Sequence, residues 1–532
     1  MYIIIAHKVK LVDSLFIIAR NCLIFLHILI IMVLIYVLFY NKEDDLVSDS
    51  RSSYKKLFSN TLIFALGSFG SKLLVLILVP LYTACLSPDQ YGTVDLIAQT
   101  ANILIPIITL SAADAALRFA LETKDEAQHA KIYSSLLSVV LCGFAFLAVL
   151  YPIYSKFAYL DGYALLLLIY VCTASLKQLN STFVRSLEKV KLFAFDGILT
   201  TLAMLLLNIL FLIVFKWSTV GYLLAIILSD LLSSVFLFFA AKLWRLISFK
   251  KPDFALLKDM LRYSAPLIPT TLLWLVTSIS DRFIITYFHG EYLNGINSIA
   301  YKIPTILTTI FTMFSQAWNM SAITENESSE RASFYTNVFS LNQSFMYVLS
   351  AGILMLNRPI TRIWVDAAYY EAYKYSPILT MATIFTCFNV FLGSAYIACK
   401  KTKRSFYTSL AAGIINIVLN FVLIPNYGIY GAAIATFVAY FAVFFYRLYD
   451  ARSLIHFDFS MAKVLINTAM LASMAVLNQI EGLWTYGVLA GIFLIILIIN
   501  FKELWKCLMF IIPKKLLNKL PIVQKISDKI NK

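Results

Sequence analysis

Seven ionisable residues fall inside or beside long apolar runs, where hydrocarbon makes a bare charge costly. Four are cations: Lys72, Arg118, Arg282 and Lys302. Gathered around one cavity, such cations suit a pyrophosphate or another anionic head group, which guanidinium and ammonium groups bind through charge-assisted hydrogen bonds. Lys72 stands near the middle of its run, too deep for easy snorkelling. The other three also admit plainer roles. Arg118 lies one helical turn after Asp114, on the same face, as an interfacial anchor would. Arg282 is placed to reach the outer interface, and Lys302 to snorkel outward or to pair with Asp281. Three acids, Asp95, Asp230 and Asp281, are suited to relaying protons or binding Na⁺, and equally to structural ion pairs.

Other chemistries find no residues to carry them. The seven cysteines show no C-x-x-C pairing, and the five histidines no H-E-x-x-H. There is no Walker loop, no G-x-S-x-G elbow and no dinucleotide-binding glycine pattern. The reading is therefore a non-enzyme without metal or cofactor. The Asn-x-Ser/Thr triplets at Asn180 and Asn326 are at the level of chance.

The elements that must position the charged residues follow from composition. Of 532 residues, 61% are hydrophobic and 14% charged, with mean hydropathy +0.81. Soluble domains run at about 45–50% apolar and about 25% charged. The chain reads as an all-α polytopic membrane protein. A hydrocarbon core needs about 20 apolar residues per helix, and fourteen runs qualify, from Leu57–Leu86 to Tyr486–Phe501. Among them are Thr93–Ala113, Leu160–Leu179, Ala265–Phe288 and Gly295–Met320. Distributed over alternate connections, 33 Lys/Arg fall on one side and five on the other: Lys156, Lys216, Arg358, Arg362 and Lys374. Basic residues favour the cytoplasmic side, so both ends of the fourteen-helix body are expected to be cytoplasmic. The net charge of +15 thus reflects orientation and not a nucleic-acid partner.

Five segments result: an N-terminal extension (1–53), six helices (54–247), six more (248–450), two trailing helices (451–503) and a basic tail (504–532). The extension carries one apolar run, Cys22–Tyr40, readable as an extra helix, an interfacial segment or upstream sequence from a misplaced start. The tail suits an amphipathic helix on the inner leaflet, or a plain topogenic sequence. The two six-helix sets look like copies. Tyr91-Gly92 with Asn102 and Pro106 is matched about 203 residues on by Asn294-Gly295 with Pro304. Parallel repeats of this kind are a transporter architecture.

The residues also support a resemblance. Leu66-Gly67-Ser68, Pro80-Leu81-Tyr82-Thr83 and Ser87-Pro88-Asp89-Gln90-Tyr91-Gly92 resemble the opening of Wzx-type polysaccharide biosynthesis flippases. Downstream, Tyr263-Ser264-Ala265-Pro266, Asp281-Arg282-Phe283 and the stretch from Asn416 through Pro425, Gly428 and Gly431 to Thr436 continue it. The family belongs to the multidrug/oligosaccharidyl-lipid/polysaccharide exporter superfamily, and the resemblance covers about Tyr54–Phe501. It implies two six-helix lobes plus two trailing helices in the bacterial cytoplasmic membrane. It implies that helices one, two, seven and eight line a cavity, with Lys72, Arg118, Arg282 and Lys302 as substrate-binding residues. The implied activity is export of an undecaprenyl-pyrophosphate-linked oligosaccharide by alternating access, for capsule, exopolysaccharide, O-antigen or teichoic-type polymer. Implied partners are that lipid-linked substrate, membrane lipids, and a polymerase with other assembly proteins. A lipid II flippase, a multidrug antiporter, and a membrane glycosyltransferase or polymerase remain as alternatives.

Overall fold

A computed structural model describes residues 76–247, 253–265, 267–324, 331–399 and 401–511. The N-terminal extension, most of the first expected span with Lys72, and the end of the tail lie outside the described residues. The chain divides into two compact units. The first runs to Thr286 and takes in Gly290–Gly295; the second comprises Tyr287–His289 and everything from Ile296.

The first unit begins with α1 (Leu76–Cys85) and α2 (Pro88–Ile108). Ser87 opens α2 with a reciprocal cap: its hydroxyl accepts from the Gln90 N–H while the Gln90 side chain accepts from the Ser87 N–H. Then come α3 (Ala112–Leu121), α4 (Glu126–Val149), α5 (Ala164–Ser186) and α6 (Val190–Asn208), the last running into a wider turn at Ile209–Val214. Next are α7 (Ser218–Ala240), α8 (Phe254–Ser264) and α9 (Leu267–Ala300), whose regular course is interrupted at Gly290. On α6, Phe195, Ile198, Leu202 and Leu206 form an exposed apolar stripe at helical spacing, while Asp196 and Thr200 are buried opposite. Oil outside and polar groups inside is the pattern of a helix facing lipid.

The second unit continues with α10 (Lys302–Thr324), α11 (Arg331–Met355), the short α12 (Asn357–Trp364) and α13 (Ala372–Ala398). It ends with α14 (Thr402–Leu454), α15 (Met461–Leu477) and α16 (Leu483–Ile511). Its core is aromatic: Trp318, Phe339, Phe385, Phe388, Phe391 and Phe444 are all buried, with Trp318 stacked on Phe391 at 4.5 Å. The trailing helices share that core through Val464, Leu471, Met474, Leu489 and Ile496.

Among the described residues, nine helices are long and apolar enough to cross a membrane. The number differs from the expected fourteen for reasons visible in the chain. The first run is described only from Leu76, α15 is short at 17 residues, α14 holds two expected runs, and α9 and α10, which carry the expected runs Ala265–Phe288 and Gly295–Met320, are not among the nine. At Gly428 φ is 53° and ψ −128°, open to glycine at low cost. Asn416 Nδ2 then donates to Thr436 Oγ1 at 3.2 Å. Twenty residues along an unbroken helix would separate them by about 30 Å, so the chain reverses at Gly428.

One crossing within the first unit is unusually close. A Cβ on Gly92 would lie 2.0 Å from the Glu291 carbonyl oxygen, and one on Gly295 would lie 2.0 Å from that of Pro88. Glu291 precedes Gly295 by four residues, as Pro88 precedes Gly92. The contact is therefore reciprocal between the two segments that read as repeats. Asn294 Nδ2 adds a hydrogen bond to the Gly92 carbonyl at 3.0 Å.

Candidate functional site

The expected second span, Thr93–Ala113, is not one helix. α2 stops at Ile108 and α3 begins at Ala112, with Leu110 and Ser111 both at positive φ, 49° and 52°. The Ser111 N–H donates to the Pro106 carbonyl at 3.1 Å and the Leu110 N–H to that of Ile107 at 3.4 Å. This is the closing pattern usual for a glycine-terminated helix, here built on leucine and serine. Left-handed backbone at an ordinary residue costs about 1–2 kcal/mol, and such strain gathers at ligand clamps and switches.

The break opens onto a cavity of about 490 Å³ within the first unit. Asn102, Thr109, Ser111 and Asp114 line it from α2 and α3, Lys177 and Gln178 from α5, Asp230 from α7 and Thr271 from α9. Its electrostatic centre is an ion pair: Lys177 Nζ donates to Asp230 Oδ1 at 2.6 Å, with side chains 29% and 11% exposed. Beside it, Ser233 donates to Asp196 at 2.7 Å, and Tyr133, Asn180 and Ser234 form a buried hydrogen-bonded chain.

A second ion pair joins the same tract. Arg282 Nη1 donates to Asp95 Oδ1 at 2.5 Å. Along α2, Gln99 Nε2 donates to Asp95 Oδ1 at 3.3 Å, and Asn102 Nδ2 donates to Gln99 Oε1 at 3.2 Å. Residues 95, 99 and 102 share one helix face. A polar line therefore runs from Arg282 to Asn102 at the cavity wall. Opposite charges close in space offset much of their desolvation, and a continuous polar line through apolar helices marks a pathway more often than an accident.

The other expected site residues are distributed differently. Arg118 is exposed and pairs with Glu122 at 3.3 Å, with its guanidinium over the Tyr263 ring at 5.0 Å; a pairing with Asp114 is not among the contacts of the described residues. Asp281 is buried, and its Oδ1 accepts from the Arg282 backbone N–H at 3.0 Å. Lys302 is half-buried at the first position of α10 in the second unit. Lys72 lies outside the described residues. Asp95 and Asp230 thus come together in one tract with Arg282. Lys177 was missed: placed two residues before the end of Leu160–Leu179, it read as a topology-setting cation, whereas α5 continues to Ser186. Its signal was available in Asp230, an acid with no cation within its own span. Arg447 is a second such correction, since it is buried and donates to the Asn389 and Ser405 carbonyls.

The folds of known transporters match this architecture. A lipid II flippase, MurJ, in an inward closed conformation superposes with TM-score 0.63 at 15% identity, covering 85% of this chain and 99% of that one. A multidrug resistance MATE-family transporter of the MOP superfamily, inward-facing, gives TM-score 0.59 at 13% identity, covering 74% and 95%. The chain has the fold of MOP-superfamily transporters and is a multi-pass membrane protein. Residues 57–319 match the family described as polysaccharide biosynthesis protein. A probable low-salt glycan biosynthesis flippase, Agl15 of Haloferax volcanii, is 26% identical over 201 residues, 36% of this chain and 42% of that protein. An uncharacterised membrane protein of Methanocaldococcus jannaschii is 25% identical over 186 residues, 35% and 44%. The chain spans less than half the length of the curated relatives it matches.

Proposed function

We propose that the protein moves an undecaprenyl-pyrophosphate-linked oligosaccharide repeat unit across the bacterial cytoplasmic membrane by alternating access. The observation that carries this reading is the polysaccharide biosynthesis match over residues 57–319. The glycan flippase relative supports it further. The product would feed capsule, exopolysaccharide, O-antigen or teichoic-type polymer, with a polymerase and other assembly proteins acting next. In this reading the C-terminus is cytoplasmic, as the 33-to-five distribution of basic residues supports.

Lys72, Arg282 and Lys302 remain the proposed contacts for the anionic head group, while the exposed Arg118, paired with Glu122, suits an interfacial anchor. Asp95 and Asp230 are proposed as the coupling acids. Each is held by a cation it can exchange for a proton or Na⁺ as the helices move. Asp281, buried and accepting from the neighbouring Arg282 backbone N–H, completes the acidic set.

The test is export in cells lacking their own flippase, with surface glycan and lipid-linked intermediate both measured. Lys72→Gln and Arg282→Gln should each accumulate intermediate at normal protein abundance. Undiminished export by both variants would remove the cation-site reading. Export restored by no version of the chain in any glycan background would remove the flippase reading itself.

A further inference from the structure

The second unit carries another pocket, far along the chain from the polar tract. It has a volume of about 740 Å³ and is walled by α12, the segment that follows it, and the connection between α15 and α16. Ligand sites are typically clefts of about 300–1,000 Å³ with a few convergent polar groups. Arg358, Arg362, Tyr370, Tyr373, Glu481 and Tyr486 line this one.

Arg358 builds the wall. It is buried, and its Nε and Nη2 donate to the Asn478 carbonyl at 3.1 and 2.7 Å, with Nη2 also reaching Ile480 at 2.8 Å. Its guanidinium lies against the Tyr373 ring, 5.3 Å from the centroid, and Tyr373 packs on Tyr370 at 4.8 Å. Asn357 ties the same corner together by donating to the Tyr373 carbonyl at 2.8 Å and to Asn478 at 3.2 Å. The pocket is therefore held in shape before anything enters it.

Arg362 is what the wall presents. It follows Arg358 by one turn, is exposed, and forms no ion pair among the described residues. Glu481 across the pocket is likewise exposed and outside any ion pair there. An open guanidinium takes a phosphate or carboxylate in two-pronged fashion. A carboxylate accepts from hydroxyls, and tyrosine rings present apolar faces with a polar rim. Charge distribution points the same way. Of the five Lys/Arg on the sparse side of the membrane, Arg358, Arg362 and Lys374 cluster around this corner, where orientation gives no reason for cations.

We propose that this pocket binds an anionic saccharide, a sugar ring carrying a phosphate or carboxylate, with Arg362 on the anion, Glu481 on ring hydroxyls and the tyrosines against the ring. This goes beyond the transport reading and does not depend on it.

The test uses the full chain in phosphatidylcholine nanodiscs, titrated calorimetrically with glucose 1-phosphate, glucose and inorganic phosphate. Glucose 1-phosphate should bind about tenfold or more tightly than either of the others, the effect of one charge-assisted contact. Arg362→Gln should remove that advantage and leave glucose binding as it was; Tyr486→Ala should weaken both sugars. Three results overturn the assignment: no saturable binding of glucose 1-phosphate, inorganic phosphate binding as well as the sugar phosphate, or Arg362→Gln leaving affinity unchanged. Binding abolished by replacing phosphatidylcholine with phosphatidylglycerol would instead give the pocket to a lipid head group and overturn the saccharide. Because no transport is measured, failure here leaves the flippase reading where it was, and the reverse.

Discussion

At Lys177 and Asp230 the physics separates a structural ion pair from a working one. Removing one member strands the other in a place it shares with little water. Asp230→Asn is expected to cost about 2 kcal/mol, less than the 3–5 kcal/mol of a fully buried pair because Lys177 keeps part of its side chain exposed. Thermal unfolding of the solubilised protein should show that loss. Replacing both together, Lys177→Met with Asp230→Leu, should recover most of the stability, since a well-packed apolar pair often matches a buried salt bridge. If the pair couples transport, the stable double variant will still fail to export. Normal export from it would reduce the pair to scaffolding. Reading these residues from sequence alone was uneven for a physical reason. Asp230, Asp95 and Arg282 advertise themselves by sitting in oil, whereas Lys177 sits close enough to a span's end to pass for a topology signal.

Among the elements, glycine and proline made some breaks legible and left others hidden. Pro425 and Gly428 fall between the apolar runs Phe406–Ile424 and Gly431–Tyr446, which read as separate spans. Gly428→Ala should therefore destabilise the second unit by about 1–3 kcal/mol, because its φ and ψ are strained for any residue with a side chain. An unfolding midpoint equal to the parent's would contradict that reading. The break between α2 and α3 gave no such notice. Its left-handed residues are leucine and serine, and the nearest breaker, Pro106, stands inside α2. Tertiary packing, invisible in a single sequence, overrides local preference there. Ala112, Ala115 and Ala116 let α3 pack tightly against its neighbours once the chain has turned.

For the whole molecule, the order and apolarity of the helices were readable because oil demands long uninterrupted runs. How the trailing helices attach was not, because that depends on side chains about a hundred residues apart. Tyr347 bonds Thr468 at 2.8 Å, Lys463 bonds Ser344 at 3.0 Å, and Asn478 bonds the Leu354 carbonyl at 3.0 Å, while Lys463 also pairs with Glu503 at 2.8 Å and so ties α15 to α16. Together with the shared aromatic core, these make α15 and α16 part of the second unit. Ending the chain after Ile455 should therefore abolish accumulation of the protein in membranes, measured by immunoblot, and not merely its export. An abundant truncated protein would show the trailing pair to be an appendage. The crossing at Gly92 and Gly295 has a consequence of another sort. A contact in which each partner meets the other's counterpart is the signature of two-fold association, here enclosed in one polypeptide. It is what a gene doubled from a self-pairing half-length ancestor would retain. Such a locus inherits its constraint twice: each half is free to drift elsewhere, but neither glycine can change without being refused by the other copy's backbone.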